Sequence, residues 1–403
     1  MPLEYQVFDP SQCRFPRPRV PVLPRGLDLS KADDASLQQS ISPLTGVGSH
    51  YSRGRYALGE AYRRAGVGCD GALLAPSYHC VTMLDPALAL GAEVLLYPLT
   101  ADLAPNLVEL DALVSCSVKS IKALLATHFF GFVQDFSRLK QWCDVRGIAF
   151  VEDCSHTLFF DRYQAKGAGQ YGEFIASSPY KFFPSADGGW LYTRNSTSHP
   201  VAETQPAGWL AELRGMKQCL DGARQPRLVF GDIANLDGQL SALADQAPQT
   251  GKDERRLRSA HSSQYLSDSA CTAALRSSRW LINHSSLCVT IERRQANYRR
   301  WLEAVAGLPS CRALYPELPE HVVPYMFPLY IEHPMPCFYW LKQLAVPVWR
   351  WDEMAISTCS VAQDYRLHLL HLPCHQSLSD DEMNWLVAAL SMVLRKSVVG
   401  VCR

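Results

Sequence analysis

The chain has 403 residues, too many for one simple hydrophobic core, which favours two domains that share an interface. Its composition, 47% hydrophobic and 19% charged, excludes a disordered chain, and its zero formal net charge gives no electrostatic argument for nucleic acid or an anionic membrane. It has no run of about eighteen apolar residues and no signal-like N-terminus, and its 14 cysteines lack zinc-site spacing. We therefore expect a cytoplasmic protein without membrane contact, nucleic acid or metal.

The first elements in the chain are a proline-rich arm and a helix. Residues 1–40 are predicted to be an extended arm that lies on the body or on a partner subunit. The apolar spacing over 52–65 predicts a helix. Its start contains Gly54 between Arg53 and Arg55, which suits a phosphate group at a helix N-terminus. The alternative interpretation is a solvated first turn.

Short apolar runs then alternate with helical segments of about ten residues. This alternation predicts an α/β fold with a mostly parallel sheet covered on both faces. The predicted strands are 72–75, 94–97, 121–127 and 148–151, and the predicted helices are 81–90, 107–114 and 136–145.

The stretch from 148 to 195 concentrates the groups that can do chemistry. Asp153 ends one apolar run, His156 follows it, and the run at 174–176 leads to Ser178 and Lys181. Parallel strands present their carboxyl ends at one edge of a sheet, where ligands bind. An acid, hydroxyls and a lysine there suit pyridoxal phosphate, with the lysine as Schiff-base partner. The alternatives are a helix cap for Asp153 and a solvated side chain for Lys181.

The second half of the chain is less regular. Residues 199–268 are polar, which predicts an exposed excursion or a crossing between domains. A helical stretch at about 270–305, a strand at 324–331 and helices at 336–344 and 380–394 then predict a smaller α+β domain. The expected division is an arm at 1–40, a large domain at 41–268 and a small domain at 269–403.

A cluster of two tryptophans around an arginine lies in this smaller domain, at Trp349, Arg350 and Trp351. It is either a packed loop or a substrate wall whose guanidinium binds a carboxylate or phosphate.

Several motifs together resemble the DegT/DnrJ/StrS family of pyridoxal-phosphate-dependent sugar aminotransferases. They are PSYHCVT at 76–82, THFFGFVQD at 127–135, VEDCSH at 151–156 and the DGG at 187–189 that follows Lys181. The similarity extends over about 42–195 and continues weakly to LPCHQSLSDDEM near the end. It departs from the family in having three rather than five residues from Ser178 to Lys181. The family's Asn-Tyr-Arg pattern is not recognisable in 199–268.

The resemblance implies a fold-type I enzyme that forms a homodimer. It assigns catalysis to Lys181, Asp153 and His156, with Asp153 on the pyridinium nitrogen and His156 near the phenolic oxygen of the cofactor. Its remaining assignments are Ser178, Gly54 and Arg55 at the phosphate, and Tyr78 or His79 stacked on the ring.

The expected reaction moves an amino group from an amino acid, glutamate by resemblance, to a keto group of a sugar nucleotide or similar small intermediate. Arg53 and the cluster Trp349, Arg350 and Trp351 are the candidate substrate residues. Two alternatives remain: elimination or dehydration with the same cofactor, and a non-catalytic aminotransferase-like partner protein. Lys181 argues against the family's dehydratases, which carry histidine at that position.

Overall fold

The computed structural model describes residues 3–8, 15–26, 48–157, 167–194, 203–228, 231–245, 254–259 and 264–401. Its strands are β1 (Leu3–Phe8), β2 (Ser49–Tyr51), β3 (Gly71–Pro76), β4 (Glu93–Tyr97), β5 (Ser120–Thr127), β6 (Ala149–Asp153), β7 (Phe174–Ser177), β8 (Gly189–Thr193), β9 (Glu254–Ser259), β10 (Cys311–Ala313), β11 (Met326–Ile331), β12 (Met354–Ala355) and β13 (Leu369–Pro373). Its helices are α1 (Gly54–Arg64), α2 (Val81–Ala89), α3 (Leu110–Ser115), α4 (Ser137–Arg146), α5 (Trp209–Arg224), α6 (Gly231–Ala234), α7 (Leu236–Ala244), α8 (Arg276–His284), α9 (Leu287–Val305), α10 (Pro334–Gln343), α11 (Ser360–His368) and α12 (Asp380–Val401).

The central element is a seven-stranded sheet in the order β2-β8-β7-β6-β5-β3-β4. The five strands from β7 to β4 are parallel to their neighbours, and β8 and β2 add antiparallel pairs at one edge. The predicted α/β fold with a mostly parallel sheet is therefore confirmed. Each predicted strand of the 72–151 region lies within one or two residues of an observed one.

Successive residues of the buried strands serve opposite faces of this sheet, because side chains alternate along a strand. On one face Leu73, Leu125 and Val151 pack with apolar residues of α1 and α2. On the other, Leu124 and Phe150 pack with residues of α3 and α4. Burial on both faces explains why these strands appear in the sequence as continuous apolar runs.

A second core lies around the antiparallel sheet β10-β11-β13 and the helices α9, α10 and α12. Helix α12 begins at a reciprocal cap: the Glu382 N–H donates to Ser379 Oγ at 3.2 Å, and the Ser379 N–H donates to Glu382 Oε2 at 3.0 Å. Leu228, Leu236 and Leu240 also belong to this core. Part of the polar 199–268 segment thus packs with the C-terminal half, whereas the expected division placed it in the large domain.

The described parts of the N-terminal arm attach to the body. Strand β1 pairs antiparallel with β9 on one side and with β12 on the other, forming a third small sheet. Residues 27–40 of the arm lie outside the described residues. Among the helices of the described ranges, none has the length and apolarity needed to cross a membrane.

Candidate active site

A cleft opens where β5, β6 and β7 end and α1 begins. It is lined by Arg53, Gly54, Arg55, Leu58, Cys80, Thr82, Met83, Thr127, Asp153, Ser155, His156, Ser178, Tyr180, Lys181 and Trp351. Eight of the residues proposed from the sequence therefore share one cleft: Arg53, Gly54, Arg55, Asp153, His156, Ser178, Lys181 and Trp351. They meet because parallel strands bring their carboxyl ends to the same edge of the sheet.

A cradle of small polar groups lies at the N-terminus of α1. A Cβ atom on Gly54 would lie 2.0 Å from Ser178 Oγ, so only glycine leaves room for that hydroxyl. Ser178 Oγ donates to Ser155 Oγ at 3.0 Å. A helix N-terminus with hydroxyls beside it suits a phosphate group, because its unpaired backbone N–H groups point at the ligand.

Steric crowding explains the second glycine of the pair Gly188-Gly189, which follows Lys181. A Cβ on Gly189 would lie 2.3 Å from the backbone carbon and oxygen of Arg53, so β8 can approach the start of α1 only with glycine there. Asp187 accepts the Leu275 N–H at 3.2 Å. The DGG motif thus holds the segment after the lysine against α1.

Asp153 ends β6 with 2% of its surface exposed. One of its oxygens, Oδ1, accepts the Ser155 N–H at 2.9 Å, which fixes the carboxylate at the strand end. The Lys181 ammonium lies 5.3 Å from the ring centroid of Tyr325. Asp153 and Lys181 both line the cleft, as a pyridoxal phosphate site requires.

His156 is held as a neutral hydrogen-bond donor. Burial, with additional contributions from the charges of Lys181 and His371, lowers the pKa of His156 well below its ordinary value. The Phe130 N–H donates to Nδ1 at 3.3 Å, so the proton of the neutral ring lies on Nε2. Its ring stacks on Tyr325 with centroids 4.4 Å apart. The imidazole can therefore donate from Nε2 without carrying a charge.

Arg294 supports the lysine from the far side. Its side chain is fully buried, and Nη2 donates to the carbonyl oxygen of Lys181 at 3.0 Å. Nη1 donates to Pro324 and Tyr325 carbonyls at 3.1 Å, and Nε donates to Gln376 Oε1 at 2.9 Å. Burial lowers the pKa of Arg294 to about 10.

The acid before Asp153 has a structural role. Glu152 accepts hydrogen bonds from His128 Nε2 at 2.9 Å and from the N–H groups of Gly169, Tyr171 and Gly172. Burial alone would raise the pKa of Glu152, but the bond and charge of His128, with those N–H groups, lower it on balance. Both carboxylate oxygens are occupied, so we assign Glu152, together with His128 and the nearby Cys154, to anchoring the 167–172 loop.

The expectation that Tyr78 or His79 stacks on the cofactor ring needs correction. Both are fully buried behind the cleft wall. Tyr78 bonds to His371 Nε2 at 2.8 Å, and His79 Nε2 accepts the Ala355 N–H at 3.2 Å. Cys80, the next residue, lines the cleft instead. The turn after β3 directs the first two side chains inward, which spacing alone does not reveal.

The tryptophan–arginine cluster divides in the same way. Only Trp351 lines the cleft. The Arg350 side chain is 3% exposed, forms an ion pair with Asp352 and lies 3.7 Å over the Phe338 ring. Trp349 is partly exposed outside the cleft. The prediction that Arg350 meets an anionic substrate is therefore replaced by a packing role, because its charge is already neutralised inside the fold.

Sequence reasoning missed several residues of this site. Thr127, Ser155 and Cys80 lie inside motifs that it quoted, but it gave the first two no role and favoured packing for the third. Tyr325 and Arg294 come from the C-terminal half. The signal for Arg294 was a charged residue on the apolar face of α9, whose other buried positions include Thr290 and Trp301.

Residues 50–219 match the profile of the DegT/DnrJ/EryC1/StrS aminotransferase family. A curated relative, the L-glutamine:2-deoxy-scyllo-inosose aminotransferase of Streptomyces kanamyceticus, is 28% identical over 146 residues. That match covers 35% of this chain and 33% of the relative, so it spans about one third of the relative's length.

Two solved structures share the fold over most of their length. Helicobacter pylori PseC, an aminotransferase involved in the biosynthesis of pseudoaminic acid, is 14% identical with a TM-score of 0.60, over 93% of this chain and all of PseC. The PLP form of Spr1654 from Streptococcus pneumoniae is 14% identical with a TM-score of 0.60, over 94% of this chain and 99% of that protein.

The sheet order, with the lysine, acid and serine at its carboxyl edge, is the fold-type I architecture that the chain shares with these structures. Among families with this fold, the match over residues 50–219 is to the DegT/DnrJ/EryC1/StrS aminotransferase family. The divergence of the chain from that family is visible in the shortened segment from Ser178 to Lys181, which forms a single 3-10 turn at Pro179–Lys181.

Proposed function

We propose that this chain is a pyridoxal-phosphate-dependent aminotransferase that acts on a small biosynthetic ketone. The observation that carries the proposal is the convergence of Lys181, Asp153 and the Gly54–Ser178 cradle in one cleft. The family match and the aminotransferase relatives support it.

The residues of the cleft fit this cofactor. Gly54, Ser178 and the N-terminus of α1 would hold its phosphate, and the Asp153 carboxylate would stabilise a positive charge on the ring nitrogen. When bound, pyridoxal phosphate accepts the electrons released at the substrate carbon. Thr127 Oγ1 is buried in the same cleft with no hydrogen-bond partner among the described residues, as expected of a site that binds a polar group.

The remaining groups act on protons and on water. Lys181 Nζ would hold the cofactor covalently, and its free amine would be the group that moves a proton at the substrate α-carbon. His156 donates a hydrogen bond from Nε2 and stays neutral while it does so. The rings of Trp351 and Tyr325 restrict water around the lysine, which strengthens the electrostatic interactions inside the cleft.

The substrates belong to the same proposal. We assign glutamate as the amino donor and a keto-sugar nucleotide or similar intermediate as the acceptor. Arg53 is the candidate for an anionic substrate group, since its guanidinium lines the cleft 4.8 Å from the Tyr180 ring centroid. Arg55 also lines the cleft, but its guanidinium bonds to the backbone and side-chain oxygens of Gln264.

We also propose a homodimer. Helix α5 exposes a stripe of large apolar side chains at intervals of four and three residues: Trp209, Leu213, Met216 and Leu220 are 70%, 55%, 50% and 42% exposed. A contiguous apolar stripe on a surface helix favours burial against another protein surface. A second copy of this chain is the occupant that the expected homodimer supplies.

Borohydride trapping tests the function. Reduction of the holoenzyme should leave a cofactor adduct on the peptide that contains Lys181, located by mass spectrometry. Lys181→Ala should lose both the adduct and all amino transfer, whereas Lys140→Ala, which changes an exposed ion pair on α4, should keep both.

Three outcomes would contradict the proposal. Wild-type protein without any adduct would indicate a non-catalytic relative. An intact adduct with release of ammonia and no aminated product would indicate elimination chemistry. Unchanged turnover in Lys181→Ala would move the covalent role to another residue.

A further inference from the structure

The hydroxyl of Thr127 has no role in the motifs described above. Thr127 ends β5, and its Cα is paired with that of Asp153 on the neighbouring strand. Its side chain lines the cleft together with His156 and Lys181, and the residue is 3% exposed. Oγ1 is buried and has no hydrogen-bond partner in the part of the chain that the structure describes. A buried hydroxyl without a partner destabilises the fold, because it has lost its hydrogen bonds to water and forms none within the protein.

Other hydroxyls near it, and one oxygen of Asp153, have partners within the protein. Ser155 Oγ accepts from Ser178 Oγ at 3.0 Å, and Thr157 Oγ1 donates to the Cys154 carbonyl at 3.1 Å. Asp153 Oδ1 accepts the Ser155 N–H at 2.9 Å. Thr127 thus differs from these groups: its Oγ1 has no partner among the described residues, and the residue lines the same cleft as Asp153, His156 and Lys181.

We propose that the Thr127 hydroxyl binds the cofactor directly, through a hydrogen bond to a polar substituent of the pyridine ring on the side of His156. This inference rests on the proposed function, because it takes pyridoxal phosphate as the group in the cleft. It adds a cofactor-binding residue on β5 to those on α1, on β6 and in the segments that follow β6 and β7. Valine would fill the same volume without an unpaired hydroxyl, and the bound cofactor would supply the partner that Thr127 Oγ1 lacks among the described residues.

Two substitutions at this position separate the hydroxyl from the shape of the side chain. Thr127→Val removes the hydroxyl at nearly constant volume, and Thr127→Ser keeps it. The matched control is Thr290→Val, on α9, because Thr290 is also buried but its Oγ1 donates to the Ser286 carbonyl at 2.8 Å. The dissociation constant of pyridoxal phosphate is measured by serial dilution of the holoenzyme, and the urea midpoint is measured on the full-length chain without cofactor.

The expected results for the two valine variants are opposite. Thr127→Val should raise the dissociation constant about five-fold, as for the loss of one hydrogen bond, and should leave the urea midpoint unchanged or higher. Thr127→Ser should bind within about two-fold of wild type. Thr290→Val should lower the urea midpoint and leave the dissociation constant unchanged, because its lost bond is internal to the protein.

Several results would overturn the inference. If wild type is trapped at Lys181 while Thr127→Val binds cofactor as tightly as wild type, this inference fails and the proposed function stands. If Thr127→Val lowers the urea midpoint as Thr290→Val does, the hydroxyl has a structural partner. A raised KM for the amino donor with unchanged cofactor binding would assign the hydroxyl to the substrate. If the wild-type chain takes up no pyridoxal phosphate, the proposed function and this inference fail together.

Discussion

At the scale of single residues, the environment of Asp153 decides what its carboxylate can do. It is nearly fully buried at the end of β6, with one oxygen fixed by the Ser155 N–H. A buried carboxylate is stabilised when a positive charge lies opposite it. A protonated ring nitrogen in the cleft would be such a partner.

We expect Asp153→Asn to lower turnover by about two orders of magnitude, since a neutral amide no longer stabilises the charged ring. Circular dichroism should show an unchanged fold, because asparagine keeps the oxygen that accepts the Ser155 N–H. The control is Asp144→Asn on α4, where an exposed carboxylate pairs with Lys140. Wild-type turnover in Asp153→Asn would assign the role to another acid.

At the scale of elements, α9 connects the C-terminal half to the lysine. Through Arg294 it reaches the carbonyls of Lys181, Pro324 and Tyr325, which lie on segments far apart in the chain. The planar guanidinium satisfies these carbonyls and Gln376 at once. A lysine ammonium is a compact point charge and cannot match this geometry.

Arg294→Lys should therefore leave some of these buried carbonyls without donors and reduce the free energy of unfolding by about 1–3 kcal/mol. Hydrogen exchange should quicken at residues 179–183, where the lysine segment loses its anchor. Arg293→Lys is the matched control, because the neighbouring side chain is exposed. Equal exchange in the two variants would show that Arg294 does not hold the lysine segment.

At the scale of the whole molecule, the exposed apolar stripe of α5, formed by Trp209, Leu213, Met216 and Leu220, is the surface that we propose for the contact between subunits. Exposing several large apolar side chains on one helix face to water costs free energy, and burial against a second subunit would remove that cost. The helix is already fixed to the body beside this stripe, where Glu212 accepts the N–H groups of Arg276 and Ser277.

We expect the double variant Leu213→Glu, Met216→Glu to shift the protein from dimer to monomer in light scattering, because two buried carboxylates would destabilise the contact. The control, Val145→Glu, changes a residue that is 77% exposed on α4 and should leave the mass unchanged. A wild-type chain that is monomeric at all concentrations would contradict the homodimer. A variant that stays dimeric would place the contact elsewhere.

Much of the large sheet could be predicted from local pattern. Apolar runs of four to eight residues, separated by segments with helical spacing, indicate strands and helices without any knowledge of distant contacts. Helices α5 and α7 were missed because the average polarity of residues 199–268 masked the apolar residues that recur within each helix. The packing of Leu236 and Leu240 of α7 against the C-terminal core is a distant contact that local pattern does not show.

The sequence by itself determined the edge of the sheet where Asp153, His156, Ser178 and Lys181 meet, because parallel strands must end together and each residue follows a strand end. Only the tertiary structure decided which other side chains reach that edge. Tyr78, His79 and Arg350 turn into the interior, while Thr127 and Trp351 face the cleft. The orientation of Tyr78 and His79 depends on partners in the C-terminal half, His371 and the Ala355 N–H, and local spacing carries no information about such contacts.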